Sequence, residues 1–361
     1  MTLTNYHDQK KVREIQRLRD LLKELPRFLV GYFNSMNDQT SSLTRLGYAY
    51  DFRIFFHYIS EEVLDGVPVR EISVEDMKRI NDDHLQEFME YLTYYIPANH
   101  ETPQDVAPAA SLPRDALQNE ALGKSRKLAA VRGLFRYLYM KKHIPANPAE
   151  LIPFPKITNK TITTLEVDEI AKLLDEVDSG EKLSPRQQTY HERTKTRDAA
   201  IITLLLGTGM RISECIGVNL QDIDFEVSGI RVTRKGGDEM ILYFGDEVAN
   251  ALLTYLQERE KIPTLPGHEN ALFLSLQNRR ITDRAVQNLV KKYAGLVTRL
   301  KNISPHKLRS TFGTQLYAET GDIYLVANVL GHADVNTTRK HYAKMDEQYR
   351  RKAANAVKLR E

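Results

Sequence analysis

Two histidines and a tyrosine crowd the stretch "VLGHADVNTTRKHYAKM", from Val329 to Met345: His332, His341 and Tyr342. Imidazole moves protons near neutral pH, and a phenol is a nucleophile once its proton is taken. His332 follows a glycine that reads as a helix stop, and Tyr342 falls in a following helix that Asp334 or Asn336 could cap. Upstream, "SPHKLRSTF" opens a helix with Ser304 at the N-cap and Pro305 at the first helical position. His306 and Arg309, three apart, then share a face at a helix N-terminus, where free N–H groups and the dipole favour an anion. An arginine fork beside an imidazole donor makes a phosphate cradle there. In "GTGMRISE", Gly207 to Glu214, glycines allow a tight turn, Arg211 starts the next helix and Glu214 can orient it. Lys235, in "TRKGGDE", sits at a hairpin tip, where a mobile ammonium can reach DNA and donate a proton. Taken singly, each has an ordinary explanation: a capped surface helix, an interhelical turn with a solvated arginine, a lysine blunting a turn. Only convergence gives them weight.

The elements that must hold these residues are mostly helical. From Lys10 to Tyr58 apolar residues recur at three- and four-residue intervals, and Ser73 and Asp82 or Asp83 are expected to cap two more helices. Pro97 to Gly123, rich in Pro, Ala and Asn, reads as a loop or partly ordered insertion. "KSRKLAAVRGLFRYLYMKKH" is a strong helix whose Leu128, Val131, Leu134, Phe135 and Leu138 share one side. No acidic residue occurs between Glu120 and Glu150, so Lys124, Arg126, Lys127, Arg132 and Arg136 form an uncompensated basic helix, expected to contact DNA phosphates. A solvated cationic face would look the same. Three prolines from Pro148 to Pro155 suggest a linker, dividing residues 1–155 from 156–361. The second part reads as helices broken at Gly207-Thr208-Gly209, with a hairpin formed by "GIRVTR" and "EMILYF". The fold is therefore expected to be mainly α with a small antiparallel sheet, an α+β chain of two domains.

At 361 residues the chain exceeds one ordinary core. The net charge of +3 says little by itself, because its distribution matters more. A lone cysteine, Cys215, excludes an internal disulfide framework, and no run of eighteen apolar residues suggests a membrane span. These features point to a cytoplasmic protein with no membrane partner.

Taken together and in order, Arg211, Lys235, His306, Arg309, His332 and Tyr342 resemble the catalytic set of the tyrosine recombinases, the phage integrase and Xer-type family. The resemblance is firm from about Thr158 to Tyr349 and looser over the helical N-terminal half, which is similar to the family's core-binding domain. It implies site-specific cleavage and rejoining of double-stranded DNA through a 3′-phosphotyrosyl link and a Holliday junction. In that scheme Tyr342 attacks, His306 takes or relays its proton, Arg211 and Arg309 clamp the phosphate, Lys235 protonates the leaving oxygen and His332 binds a phosphate oxygen. Glu214 supports Arg211. Holding a phenol ionised at pH 7 would cost about 4 kcal/mol, hence the base. No metal or other cofactor is implied, since the cationic side chains supply what a metal would. The family also implies association with the nucleoid, a homo-tetramer on two duplexes, a C-terminal helix docked on the neighbouring protomer, and in some settings an accessory protein.

Two departures stand out. Many relatives place the tyrosine nine residues after the histidine of "LGH"; here the ninth is His341 and the tenth Tyr342, which is still chosen because histidine cannot supply a phenol. The polar insert "SGEKLSPRQQTYHERTKTR" is expected to affect surface contacts more than chemistry. About 25 residues precede the first bundle helices, so no extra arm-binding domain is evident, which tilts the reading toward Xer-like or simple integrases; Xer-like dimer resolution and integration or excision of a mobile element both stay open. The competing classes are a catalytically inactive DNA-binding accessory relative and a type IB topoisomerase-like strand transferase.

Overall fold

Phe52, Phe55 and Phe56 recur at the spacing that places side chains on one helical face, and in the computed structural model all three are fully buried. The structure describes residues 6–95, 117–158, 163–234, 237–298, 300–331 and 335. By contacts the chain separates into two compact units, Met1–Asn159 and Lys160–Glu361.

The first unit is built from α1 (Tyr6–Leu22), α2 (Leu29–Ser35), α3 (Ser42–Tyr58), α4 (Val74–Met77), α5 (Asp82–Tyr91), β1 (Tyr94–Tyr95), β2 (Leu117–Gln118) and α6 (Ala121–Met140). Edge-to-face aromatic pairs fill its centre: Phe55 meets Phe56, Phe88 and Phe135, each with ring centroids within 6.2 Å. Leu128, Val131, Leu134, Phe135 and Leu138 of α6 supply the opposing apolar stripe and are all buried. Ser73 caps α4, in a reciprocal arrangement with Asp76. At α5 the cap is Asn81, whose Oδ1 accepts the His84 N–H at 3.0 Å, while Asp82 and Asp83 lie in the first turn, where the dipole favours them. The expected 97–123 loop is narrower than its composition suggests. Leu117–Gln118 pair antiparallel with Tyr94–Tyr95, and α6 begins at Ala121. Residues 97–116 fall outside the described residues.

Beneath α6 lies a buried carboxylate. Asp51 of α3 is 1% exposed and sits 2.5 Å from an Nη of Arg126. Burial outweighs the attraction of Arg126 and Lys127, so its carboxyl is pushed up to about 6. The native state then holds this proton while the unfolded chain has released it, so stability should fall as pH rises from about 4 to about 6, by at most about 3 kcal/mol. Urea unfolding at the two pH values should show that loss in the native chain, and a smaller one in Asp51→Asn.

The second unit contains α7 (Val167–Ser179), α8 (Pro185–His191), α9 (Lys195–Thr208), α10 (Ile212–Gly217), β3 (Ile223–Asp224), β4 (Gly229–Thr233), β5 (Glu239–Tyr243), α11 (Asp246–Arg259), α12 (Asp283–Val297), α13 (Pro305–Thr320) and α14 (Ile323–Leu330). From Ala200 to Leu206 α9 is apolar almost all round and buried, the pattern of a central helix, and α7, α11 and α13 pack around it. The sheet runs β3-β4-β5, antiparallel throughout, with Arg231 opposite Ile241. β3 is two residues long, too short for alternation to reveal.

The polar insert is not a surface appendage. α8 lies within it, and His191 at the end of α8 is 1% exposed, with Nδ1 3.0 Å from the Tyr293 hydroxyl. That hydroxyl donates to Asp198, a buried carboxylate also held by Thr194 and Arg197. An imidazole and a buried acid thus tie the insert to α12.

Candidate active site

Gly209 ends α9 with φ +62°, and a Cβ there would stand 2.3 Å from Phe312, so both backbone conformation and close packing require glycine. The chain break falls here, at Gly209–Arg211; Gly207 and Thr208 still belong to α9. The turn delivers Arg211 to the N-cap position of α10. Glu214, 4% exposed, receives both the Arg211 N–H at 2.7 Å and an Nη1 bond at 2.8 Å, so the arginine is held at two points by one carboxylate. Its Nη2 donates to Gly331 O at 2.9 Å.

Ser304 and Pro305 open α13 as the sequence indicates, although the Ser304 hydroxyl makes no capping bond. The two residues three apart then diverge in environment. His306 is exposed in the first turn, whereas Arg309 is 5% exposed and reaches inward. Its Nη1 donates to Gly209 O at 2.7 Å and its Nη2 to Leu330 O. Arg309 therefore staples the end of α9 to the end of α14, and its charge is stabilised by carbonyl dipoles.

Asp322 caps α14 by accepting the N–H groups of Tyr324 and Leu325, and Gly331 ends it with φ +62°. The last carbonyls of a helix carry partial negative charge. Arginine donors converge on three in succession: Arg234 on Val329 O, Arg309 on Leu330 O and Arg211 on Gly331 O. Residues from α10, the β4–β5 hairpin and α13 thus meet at the turn immediately before His332. Lys235, His332 and Tyr342 themselves lie outside the described residues, as do Asp334, Asn336 and the chain after Tyr342. Lys235 is bracketed by a closed hairpin, with Arg234 N–H donating to Asp238 O at 2.7 Å.

Arg234 was not singled out by its sequence. Its only signal was its place beside Lys235 in "TRKGG". Burial lowers its guanidinium below the usual range, the Arg211 charge acts in the same direction, and Glu214 offsets both in part. Among the described residues no group of three or more His, Cys, Asp or Glu side chains could hold a metal ion.

Residues 163–349 match the family model described as the phage integrase family. The chain belongs to the phage integrase family. Over 336 residues it is 31% identical to the tyrosine recombinase XerC of Caldanaerobacter subterraneus subsp. tengcongensis, covering 90% of this chain and 84% of the relative. Over 218 residues it is 35% identical to XerC of Thermodesulfovibrio yellowstonii, covering 60% and 69%. A crystal structure of XerH site-specific recombinase bound to difH substrate superposes with TM-score 0.58 at 25% identity, covering 87% of this chain and 79% of that one. A lambda integrase dimer bound to a COC′ core site shares the fold at TM-score 0.58 and 14% identity, over 86% and 96% of the two chains. This integrase-family chain is an Xer-like site-specific tyrosine recombinase, an enzyme of DNA strand transfer.

The basic helix of this recombinase differs from its linear reading. Arg126 is compensated by Asp51, far away in sequence, and Lys127 is 5% exposed with its ammonium 2.7 Å from Asn119 Oδ1. Lys124 donates to Thr93. Arg132 donates to the carbonyls of Ala149, Glu150 and Ile152 and lies over the Phe154 ring, fastening the chain that follows α6. Of the helix's five cations, Arg126 thus gains a carboxylate partner from another element, while Lys124, Lys127 and Arg132 are held by neutral oxygens. Arg136 remains exposed. Arg132→Ala should cost the protein about 2 kcal/mol of stability in urea, with a small change in the salt dependence of DNA binding. Arg136→Ala should leave stability unchanged and lower the slope of log K against log salt by about one.

Proposed function

We propose that this recombinase cuts and rejoins specific sites in double-stranded DNA through Tyr342. The phenolic oxygen attacks the scissile phosphorus, forming a 3′-phosphotyrosyl bond as the bond from phosphorus to the 5′-oxygen breaks. His306 accepts the phenol proton, a role suited to an exposed imidazole, which moves protons near neutral pH. Lys235 gives a proton to the departing 5′-oxygen, Arg211 and Arg309 stabilise the charge that gathers on the non-bridging oxygens, and His332 hydrogen-bonds the phosphate. Attack by a partner strand's 5′-hydroxyl reverses the step and yields a Holliday junction. One phosphodiester is exchanged for another, so no energy-supplying cofactor enters the scheme, and the arginines, lysine and histidines supply the cationic stabilisation a metal would.

The observation that carries this reading is the meeting of Arg211 and Arg309 at the Gly331 turn. Two guanidinia drawn from separate helices are fixed beside the residue that leads into the histidine and tyrosine segment. An accessory module that only binds DNA needs no such preorganisation, which disfavours the inactive reading. The named relatives are XerC recombinases, and this favours Xer-like resolution over mobile-element integration. A neighbour's structure contains its difH substrate, and by analogy the partner here is duplex DNA carrying one specific site. A homo-tetramer on two duplexes, in some settings with an accessory protein, is the assembly that such chemistry calls for. The place of action is then the nucleoid and, with it, the cytoplasm. No helix among the described residues is long and apolar enough to cross a membrane. The residues 1–155 supply the core-binding domain and 156–361 the catalytic one.

The test is a plasmid with two copies of the site, selected from source genomic DNA by binding. Recombinant circles should form in the presence of EDTA. Relaxation without exchange would favour a topoisomerase-like transferase, and binding with neither would favour an accessory protein; either result overturns the proposal.

A further inference from the structure

Arg234 is half-buried and packed into the Gly331 turn. Its Nη2 donates to Val329 O at 2.8 Å, and a Cβ on Gly331 would fall 1.2 Å from its Nη1, so the guanidinium occupies the place a side chain at 331 would need. Among the described residues its buried Nε finds no partner, an unusual cost for an arginine that only holds a surface together. The adjacent carbonyls already receive Arg309 and Arg211, so Arg234 is the third of three guanidinia at one helix end.

Position in the chain separates its task from theirs. Arg234 is followed directly by Lys235, and Gly331, against which it packs, is followed directly by His332. The backbone of Arg234 is itself pinned within the hairpin, donating to Asp238 O and accepting from the Gly237 N–H at 3.0 Å. One side chain thus connects the residue before the lysine with the residue before the histidine. We propose that Arg234 is a positioning residue that sets Lys235 against the scissile phosphate by locking the β4–β5 hairpin to the α14–Gly331 turn. The role rests on the reading of Lys235 as the proton donor to the 5′-oxygen. A hairpin bearing an untethered lysine would present its ammonium in many places, and displacement of a catalytic group by about 1 Å can cost about 100-fold in rate.

The experiment is single-turnover cleavage at saturating DNA, using one duplex with the natural 5′-oxygen at the scissile position and one with sulfur in its place. A thiolate leaves without a proton, because thiols ionise near about pH 8.5, so the sulfur duplex dispenses with the proton donor. Arg234→Ala should cleave the oxygen duplex about 100-fold more slowly. It should cleave the sulfur duplex within a few-fold of the native rate, with unchanged DNA affinity. Lys235→Ala should behave alike. Arg234→Lys, which keeps the charge and one donor for Val329 O, should fall between and serves if the alanine variant does not fold. If Lys235→Ala is restored by sulfur and the Arg234 variants are not, the positioning role is overturned while the reading of Lys235 stands. If Lys235→Ala is not restored, both fall. Native cleavage of the oxygen duplex by Arg234→Ala also overturns the role.

Discussion

Arg211→Lys is expected to bind its DNA site normally yet cleave it about 100-fold more slowly, and Arg211→Ala about 1,000-fold more slowly. The difference between the two follows from what surrounds the guanidinium. Glu214 is nearly fully buried and takes two bonds from Arg211, one from the backbone and one from the side chain. Alanine removes the phosphate donor and also leaves that carboxylate without its cation, a change that destabilises by about 3 kcal/mol or more. Lysine keeps a charge for Glu214 but cannot present two parallel N–H groups to a phosphate. The lysine variant therefore isolates the catalytic contribution, with thermal unfolding as the control. A kcat loss at unchanged KM means the interaction forms in the transition state. Wild-type turnover by Arg211→Lys would remove the phosphate clamp from the scheme. Arg309 is a poorer subject for the same test, since its loss would strand the carbonyls of Gly209 and Leu330 in the interior.

That contrast between two arginines marks where reading the sequence ends. The glycine break, the onset of α13, the glycine stop of α14 and the support of Arg211 by Glu214 were all legible, because each depends on residues within three or four positions of one another. That Arg309 spends donors on Gly209 and Leu330 was not, because it depends on how α9, α13 and α14 pack. The charge count of the basic helix missed one partner for the same reason: Asp51 pairs with Arg126 across 75 positions. His191 looked like part of a polar surface insert, yet its ring is buried against Tyr293, 102 positions away. Asn81 displaced two aspartates as the cap of α5 because the reciprocal bond with His84 fixes its register. Arg234 carried no pattern at all, and only its burial against Gly331 gives it a role.

The nucleophile carries the largest expected effect. Tyr342→Phe deletes the oxygen that the proposed scheme uses as nucleophile, so strand cleavage should vanish rather than slow. Binding should persist, because the arginines and the DNA-contacting face are untouched. Tyr342 comes ten residues after His332 where many relatives have nine, and Tyr349 follows seven residues later. His341, at the ninth position, has no oxygen to offer and is expected to tolerate replacement by alanine with activity reduced only a few-fold.

The most direct measurement is covalent trapping on a duplex nicked beside the scissile phosphate, where the short leaving strand diffuses away and the protein remains attached. The native chain and Tyr349→Phe should both form the adduct in the presence of EDTA, and Tyr342→Phe should form none. An adduct that persists in Tyr342→Phe and disappears in Tyr349→Phe would contradict the assignment of the nucleophile.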